Sequence, residues 1–128
     1  MITQTEEKSN MVFYPPTSWQ AVRNMQLDAD FLLNIGNTVT NQLPSKVLEY
    51  ISSGKPIINI YKSEMCPTLN LLENYDALNI YEKEDLENSF KNLNKFLISK
   101  HDNLSFEEIK KIYKEYTPEF VARQFLEI

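Results

Sequence analysis

Short apolar runs alternate along the chain with longer segments in which apolar residues recur at helical spacing. This alternation is typical of βα units and predicts an α/β fold with a mostly parallel sheet. Four runs have the length and composition of strands: residues 11–14, 31–35, 57–61 and 77–81. The second and third are apolar enough to be covered on both faces, as parallel strands usually are. The pattern therefore predicts a sheet of about four strands flanked by helices.

Proline, glycine and capping residues mark the helix boundaries. The predicted helices cover residues 18–27, 45–53, 68–74 and 85–99, and two more begin at Ser105 and Pro118. Thr17 or Ser18 can cap the first helix, and Gly54 stands at the C′ position of the second. Ser105 and Glu108 have the spacing of a capping box. The helix over residues 85–99 is amphipathic, with one apolar stripe made of Leu86, Phe90, Leu93 and Leu97.

Length and composition suit one domain with a substantial core, because the 128 residues are 42% hydrophobic and 12% aromatic. We expect a flexible N-terminus over residues 1–10 and a single domain over residues 11–128. The net charge of −5 disfavours nucleic acid as a partner. No apolar run approaches the roughly twenty residues of a transmembrane helix, and the polar start is unlike a secretory signal. These features predict a cytoplasmic protein, with peripheral association with a membrane left open.

The rare residue types exclude several kinds of site. Two glycines, eighteen positions apart, can form neither a dinucleotide-binding fingerprint nor a Walker loop. One cysteine and one histidine exclude a disulfide framework and a zinc site built on those residues, so no metal site is predicted. We interpret Cys66 as a half-buried structural thiol and His101 as a residue that caps a helix end.

The loop after the second predicted strand, residues 36–43, is rich in amides and hydroxyls. Such a loop suits a ligand with many hydroxyl groups, and the helix that follows presents a positive dipole end that favours a phosphate. Lys46 opposes that dipole, so it either contacts a bound phosphate or pairs with Glu49 one turn further on. Glu49 is either an ordinary exposed glutamate or a carboxylate directed at a diol. Sequence alone leaves the question of Lys46 open and, for Glu49, favours the ordinary exposed glutamate.

Residues 30–37 (DFLLNIGN) and 43–58 (LPSKVLEYISSGKPII) resemble the donor-binding half of GT-B glycosyltransferases of the glycosyltransferase-4-like type. The resemblance implies a Rossmann-like domain that binds a nucleotide-diphosphate sugar as donor substrate, with no further cofactor. Glu49 corresponds to the second glutamate of the family's E-x7-E pair, which holds the ribose hydroxyls. Asn41 occupies the first position of that pair, in place of glutamate. The other residues that the resemblance implies at the diphosphate and sugar are Gly36, Asn37, Gln42, Ser45 and Lys46.

Two parts of the family's machinery have no counterpart in these residues. The diphosphate clamp and the acceptor-binding domain precede the matched region in the family, and the two arginines, Arg23 and Arg123, lie on no predicted ligand loop. No catalytic residue can be assigned. The sequence thus predicts the donor-binding portion of a glycosyltransferase, of the hexosyltransferase class if active, that is not competent alone. The alternatives are a non-catalytic remnant or interaction module with this fold and, more weakly, a flavodoxin-like signalling domain.

The resemblance also implies a gap in the sheet. In a sheet of strand order 3-2-1-4-5-6, residues 11–14 would be the third strand and the other three runs would be strands four to six. The two central strands would then be missing. Either residues 11–14 lie beside residues 31–35, or something else covers an apolar edge that would otherwise be exposed. We therefore expect association, either with the missing N-terminal half of the transferase or with a second copy as a homodimer.

Overall fold

A computed structural model of the chain describes residues 10–36 and 45–126, apart from the side chains of residues 121 and 125. The elements, in chain order, are α1 (Trp19–Asp28), β1 (Leu32–Ile35), α2 (Ser45–Ser53), β2 (Ile57–Tyr61), α3 (Pro67–Leu71), β3 (Ala77–Tyr81), α4 (Leu86–Ile98), α5 (Phe106–Ile112), a 3₁₀ turn (Lys114–Tyr116) and α6 (Pro118–Leu126). The three strands form one parallel sheet in the order β1-β2-β3. The predicted α/β class is confirmed, and the architecture is compatible with a partial Rossmann-like fold.

The strand predictions hold for three of the four runs. β2 and β3 have the predicted bounds, and β1 begins one residue later than predicted. The prediction of a strand over residues 11–14 is wrong, because this segment is exposed and has no strand structure. Apolar composition gives these four residues a preference for strand structure, but it does not by itself provide a neighbouring strand. Pro15 and Pro16, which follow at once, have no N–H to donate to a ladder.

The helix boundaries follow the predicted caps. The Ser18 hydroxyl accepts a hydrogen bond from the Ala21 N–H at the start of α1. α2 has its predicted bounds, and the capping box at the start of α5 is present. α4 is one residue shorter at each end than predicted, because Asp85 and Ser99 are its caps. α3 ends three residues earlier than predicted.

The main core lies on one face of the sheet, against α2, α3 and α5. Alternate side chains of a strand point to the same face, so Leu32 and Ile57, paired in the sheet, enter this core together. The helices and the chain that follows α3 contribute Val47, Ile51, Leu71, Leu72, Tyr75, Ile109 and Tyr113. Val47 and Ile57 are completely buried. This packing fixes α2 relative to the ends of β1 and β2.

The opposite face of the sheet is only partly covered. α4 packs against β3, but none of its residues is buried. On β1 the side chains of Leu33 and Ile35 are 50% and 64% exposed. β1 also forms one edge of the sheet within the described residues. None of the described helices has the length and apolar character needed to cross a membrane.

Candidate functional site

The predicted ligand site begins where β1 ends, at the carboxyl edge of the sheet. Gly36 follows β1, and its N–H donates to the Ile60 carbonyl at 2.8 Å. A Cβ at this position would lie 3.2 Å from the Ile60 oxygen and 3.7 Å from the Tyr61 Cα. Gly36 therefore allows a close approach to β2. The predicted contacts Asn37, Asn41 and Gln42 lie outside the described residues.

Glu49 is half-buried on α2, and both oxygens of its carboxylate have partners. The Gln26 side-chain amide on α1 donates to Oε1 at 2.9 Å. The Lys46 Nζ lies 3.5 Å from Oε2. Gln26 is itself buried, so the orientation of the carboxylate is fixed chiefly from the α1 side. Sequence reasoning did not single out Gln26, because the contact joins residues 23 positions apart on two helices.

Arg23 attaches α1 to α2 beside this carboxylate. Its guanidinium donates to the Ser52 hydroxyl at 3.2 Å, and at 3.4 Å to the carbonyls of Glu49 and Ser52 and to the Gln26 amide oxygen. These acceptors are neutral groups on or beside α2. Arg23 thus positions the helix pair.

Ser45 and Lys46 form the first turn of α2, and both are exposed. The Lys46 side chain is 54% exposed, against 27% for Glu49. Of the two predicted alternatives for Lys46, this structure contains the ion pair with Glu49. Pairs at such exposed positions contribute only about 0 to 1 kcal/mol, so a stronger partner can displace Lys46 from Glu49.

A row of three asparagines crosses the sheet one or two positions before the carboxyl ends of the strands. Asn34, Asn59 and Asn79 are in register on adjacent strands. The Asn34 amide donates to the Asn59 oxygen at 2.8 Å, and the Asn59 amide donates to the Asn79 oxygen at 2.9 Å. Asn59 is completely buried and also donates to the Thr68 hydroxyl at 3.2 Å. Pairing compensates the cost of burying these amides.

The sequence contains a signal for this row that the strand prediction did not use. Each strand carries the triplet Leu-Asn-Ile or Ile-Asn-Ile, centred on Asn34, Asn59 or Asn79. A polar residue at the same place in three apolar strands indicates that the three amides meet. Thr68 extends the network to Cys66, whose sulfur lies 3.1 Å from the hydroxyl. Cys66 is buried, in keeping with a structural thiol.

His101 joins the end of α4 to the start of β3, at the opposite edge of the sheet. Its Nε2 is 2.6 Å from the Phe96 carbonyl oxygen, and its Nδ1 is 2.6 Å from Asp76 Oδ2. The ring packs edge-on against Phe31 and Phe96. The predicted cap is confirmed. Two acceptors favour the doubly protonated ring, so the Phe96 carbonyl, and then Asp76, raise the pKa of His101 against an opposing effect of burial.

We expect the stability of the protein to fall as the pH rises through the raised pKa of His101. The folded state binds the proton more tightly than the unfolded chain, whose histidine titrates near 6.5. The contribution is therefore complete below that pH and is lost above the folded-state pKa. Denaturant unfolding of the wild type and of His101→Gln at a series of pH values measures it. Equal pH dependence in the two proteins would contradict the prediction, and the single imidazole NMR signal gives the pKa directly.

One apolar cleft formed by described residues lies away from the predicted ligand site. A cleft of about 420 Å³ separates α2 from α5 and the start of α6, and apolar side chains such as Ile51, Phe106 and Tyr113 dominate its lining. It contains none of the residues predicted to bind the donor. Within the described residues no three carboxylate, histidine or cysteine side chains come together in a way that could hold a metal ion.

Comparison with known proteins gives no family for this chain. No protein-family model matches it, and no curated protein and no solved structure matches it.

Proposed function

We propose that this chain is the donor-binding portion of a glycosyltransferase and holds a nucleotide-diphosphate sugar at the carboxyl edge of the sheet. The observation that supports this most is the arrangement of Glu49. Its half-buried carboxylate lies on the second turn of α2 and is oriented by Gln26 of α1. α2 begins at the edge where β1 ends, and this is the edge at which parallel α/β sheets bind ligands. Gly36 lets the end of β1 lie close against β2 at this edge.

Lys46 and Glu49 can bind different parts of the donor. The vicinal hydroxyls of ribose donate to the Glu49 carboxylate, replacing the weak contact with Lys46. The released ammonium group then lies at the start of α2, where it and the helix dipole attract the diphosphate. Ser45, Asn37, Asn41 and Gln42 are the proposed contacts to the diphosphate and the sugar. Transfer to an acceptor requires the clamp and the acceptor domain from another polypeptide segment.

Calorimetric titration with a nucleoside diphosphate tests the role of Glu49. We expect Glu49→Ala to weaken binding about tenfold or more, which corresponds to about 1.4 kcal/mol for the lost hydroxyl contacts. Glu73→Ala removes an exposed carboxylate beyond α3 and is the matched control, with an expected change below about twofold. Equal affinities of the Glu49→Ala and Glu73→Ala proteins would contradict the proposal.

A non-catalytic interaction module is the second candidate. The observation that favours it is the incomplete covering of the sheet, with Leu33 and Ile35 exposed on the edge strand β1. An exposed apolar edge strand pairs readily with another chain. Homodimer formation at this edge stays a prediction: we expect light scattering to detect a dimer at micromolar concentration, and a monomer would contradict it. A dimer that binds no nucleotide would favour the interaction module over the donor site.

A further inference from the structure

The apolar stripe of α4 is largely exposed within the described part of the chain. Leu86, Phe90, Leu93 and Leu97 follow one another at helical spacing on one side of the longest helix. Leu86 and Phe90 are nevertheless 72% and 65% exposed. The residue of α4 that makes aromatic contacts with the rest of the protein is Phe96, through Phe31 and His101. Amphipathic helices of stable proteins bury such a stripe, so this one indicates a binding surface.

The uncovered part of the sheet continues this surface. Ile35, Ile60 and Ile80 are in register across β1, β2 and β3 and lie on the sheet face opposite the main core. Ile60 and Ile80 line a cleft of about 230 Å³ together with Leu86, Phe90 and Leu93. We call the surface formed by these residues and Ile35 the α4 groove. Its floor is the isoleucine row and its wall is the stripe of α4.

The width of the α4 groove fits one additional helix. Adjacent strands are about 4.8 Å apart, so β1 and β3 are separated by about 10 Å. A helix with its side chains is about 10 Å across. α4 packs against β3 and reaches Phe31, just before β1, through Phe96, so the free part of the floor lies towards the carboxyl end of β1, where Ile35 is exposed.

The charge beside the α4 groove selects among possible partners. Four carboxylates and one lysine lie within residues 82–87, where β3 leads into α4. Glu82 and Glu84 also line the cleft, so their charges face an occupant as well as the helix dipole. Lys62 lies 3.9 Å from Glu82 and balances one of these charges. The remaining negative charge favours a partner with lysine or arginine beside its apolar residues.

We propose that the α4 groove binds an amphipathic helix of another polypeptide, whose apolar stripe is flanked by lysine or arginine. The proposal does not depend on nucleotide binding. A second copy docked in the α4 groove would bring two acidic clusters together, and the same carboxylates would repel an anionic lipid surface. The undescribed residues 1–9, 37–44 and 127–128 contain only Met1, Ile2, Val39, Leu43 and Ile128 as large apolar residues, too few to form such a stripe.

The probe is a synthetic helical peptide of about 18 residues, with a stripe of leucines and with lysines elsewhere. Its control is the same peptide with glutamates in place of the lysines. We expect the lysine peptide to bind at micromolar concentration and to shift the methyl signals of Ile35, Ile60 and Ile80. The glutamate peptide should bind about tenfold more weakly or worse. Phe90→Ala should weaken binding of the lysine peptide about tenfold. Ile98 also lies on α4, off the stripe, and is more exposed than Phe90; Ile98→Ala should change binding of the lysine peptide less than about twofold.

Several results would overturn the proposal. One such result is that the lysine peptide shifts no methyl signal of the α4 groove at about 1 mM. Another is that Phe90→Ala and Ile98→Ala weaken the binding of this peptide equally. Equal affinities of the lysine and glutamate peptides would contradict the claim that the carboxylates beside the groove favour a basic partner. Sedimentation could reveal a dimer that Phe90→Ala dissociates, and the occupant would then be a second copy. Binding of anionic vesicles that Phe90→Ala abolishes would assign the groove to lipid. Both variants alter exposed side chains, and circular dichroism checks that they remain folded.

Discussion

Replacing Gly54 by alanine is expected to lower the free energy of unfolding by about 3 kcal/mol. Gly54 ends α2 with a φ of 75°, in the left-handed region that residues with a Cβ adopt at a cost of about 1 to 2 kcal/mol. The new methyl group would also overlap the Leu104 carbonyl oxygen. The Leu104 N–H donates to the Gly54 carbonyl at 3.1 Å, so the chain entering α5 cannot move aside without losing this bond.

Gly36→Ala is the matched control for Gly54→Ala. Its Cβ would lie 3.2 Å from the Ile60 oxygen, a contact that a shift of a few tenths of an ångström relieves, and its φ is not positive. We expect a loss of about 1 kcal/mol at most. Denaturant unfolding compares the two variants. A larger loss for Gly36→Ala than for Gly54→Ala would show that the end of α2 is not the tighter of the two positions.

Asn59→Ala is expected to lower the free energy of unfolding by about 2 to 4 kcal/mol. Asn59 accepts one hydrogen bond and donates two, to Asn79 and Thr68, while completely buried. Its removal leaves the buried Asn34 amide without the acceptor that it uses in this structure, and it opens a small cavity. Asn79 lies at the exposed end of the row, so Asn79→Ala should cost less than about 1 kcal/mol.

A double-mutant cycle between Asn34→Ala and Asn59→Ala separates the row from simple packing. We expect a coupling of about 0.5 to 3 kcal/mol, because the second substitution removes a group that the first has already left unpaired. Additive effects of the two substitutions, or equal losses for Asn59→Ala and Asn79→Ala, would contradict a cooperative row.

Local signals in the sequence predicted most of the fold. The Ser18 cap, the Ser105 and Glu108 capping box and Gly54 after α2 act within one or two helical turns, so their spacing is sufficient to place helix ends. β2 and β3 were predicted with correct bounds because each is an apolar run between polar segments. The run at residues 11–14 has the same local signal. Its failure shows that a strand also needs a neighbouring strand, which local composition does not encode.

Less of the candidate site could be predicted, because its contacts join distant parts of the chain. The i,i+3 pair of Lys46 and Glu49 was one of two alternatives that spacing allowed. The contact of Gln26 with Glu49 depends on how α1 packs on α2, and nothing in either helix alone indicates it. The asparagine row could be predicted in part. Its triplets are visible in the sequence, but only the parallel register brings Asn34, Asn59 and Asn79 together.

The most direct test of the central claim is an NMR titration of the isotope-labelled chain with a nucleoside diphosphate. The donor-binding account predicts amide shifts that concentrate at Gly36 and at Ser45 to Glu49, saturate with concentration and need at least about tenfold more nucleotide in Glu49→Ala. Shifts of the Asn37, Asn41 and Gln42 signals would extend the site along the loop. Unchanged spectra at millimolar nucleotide, or shifts confined to the cleft between α2 and α5, would contradict it.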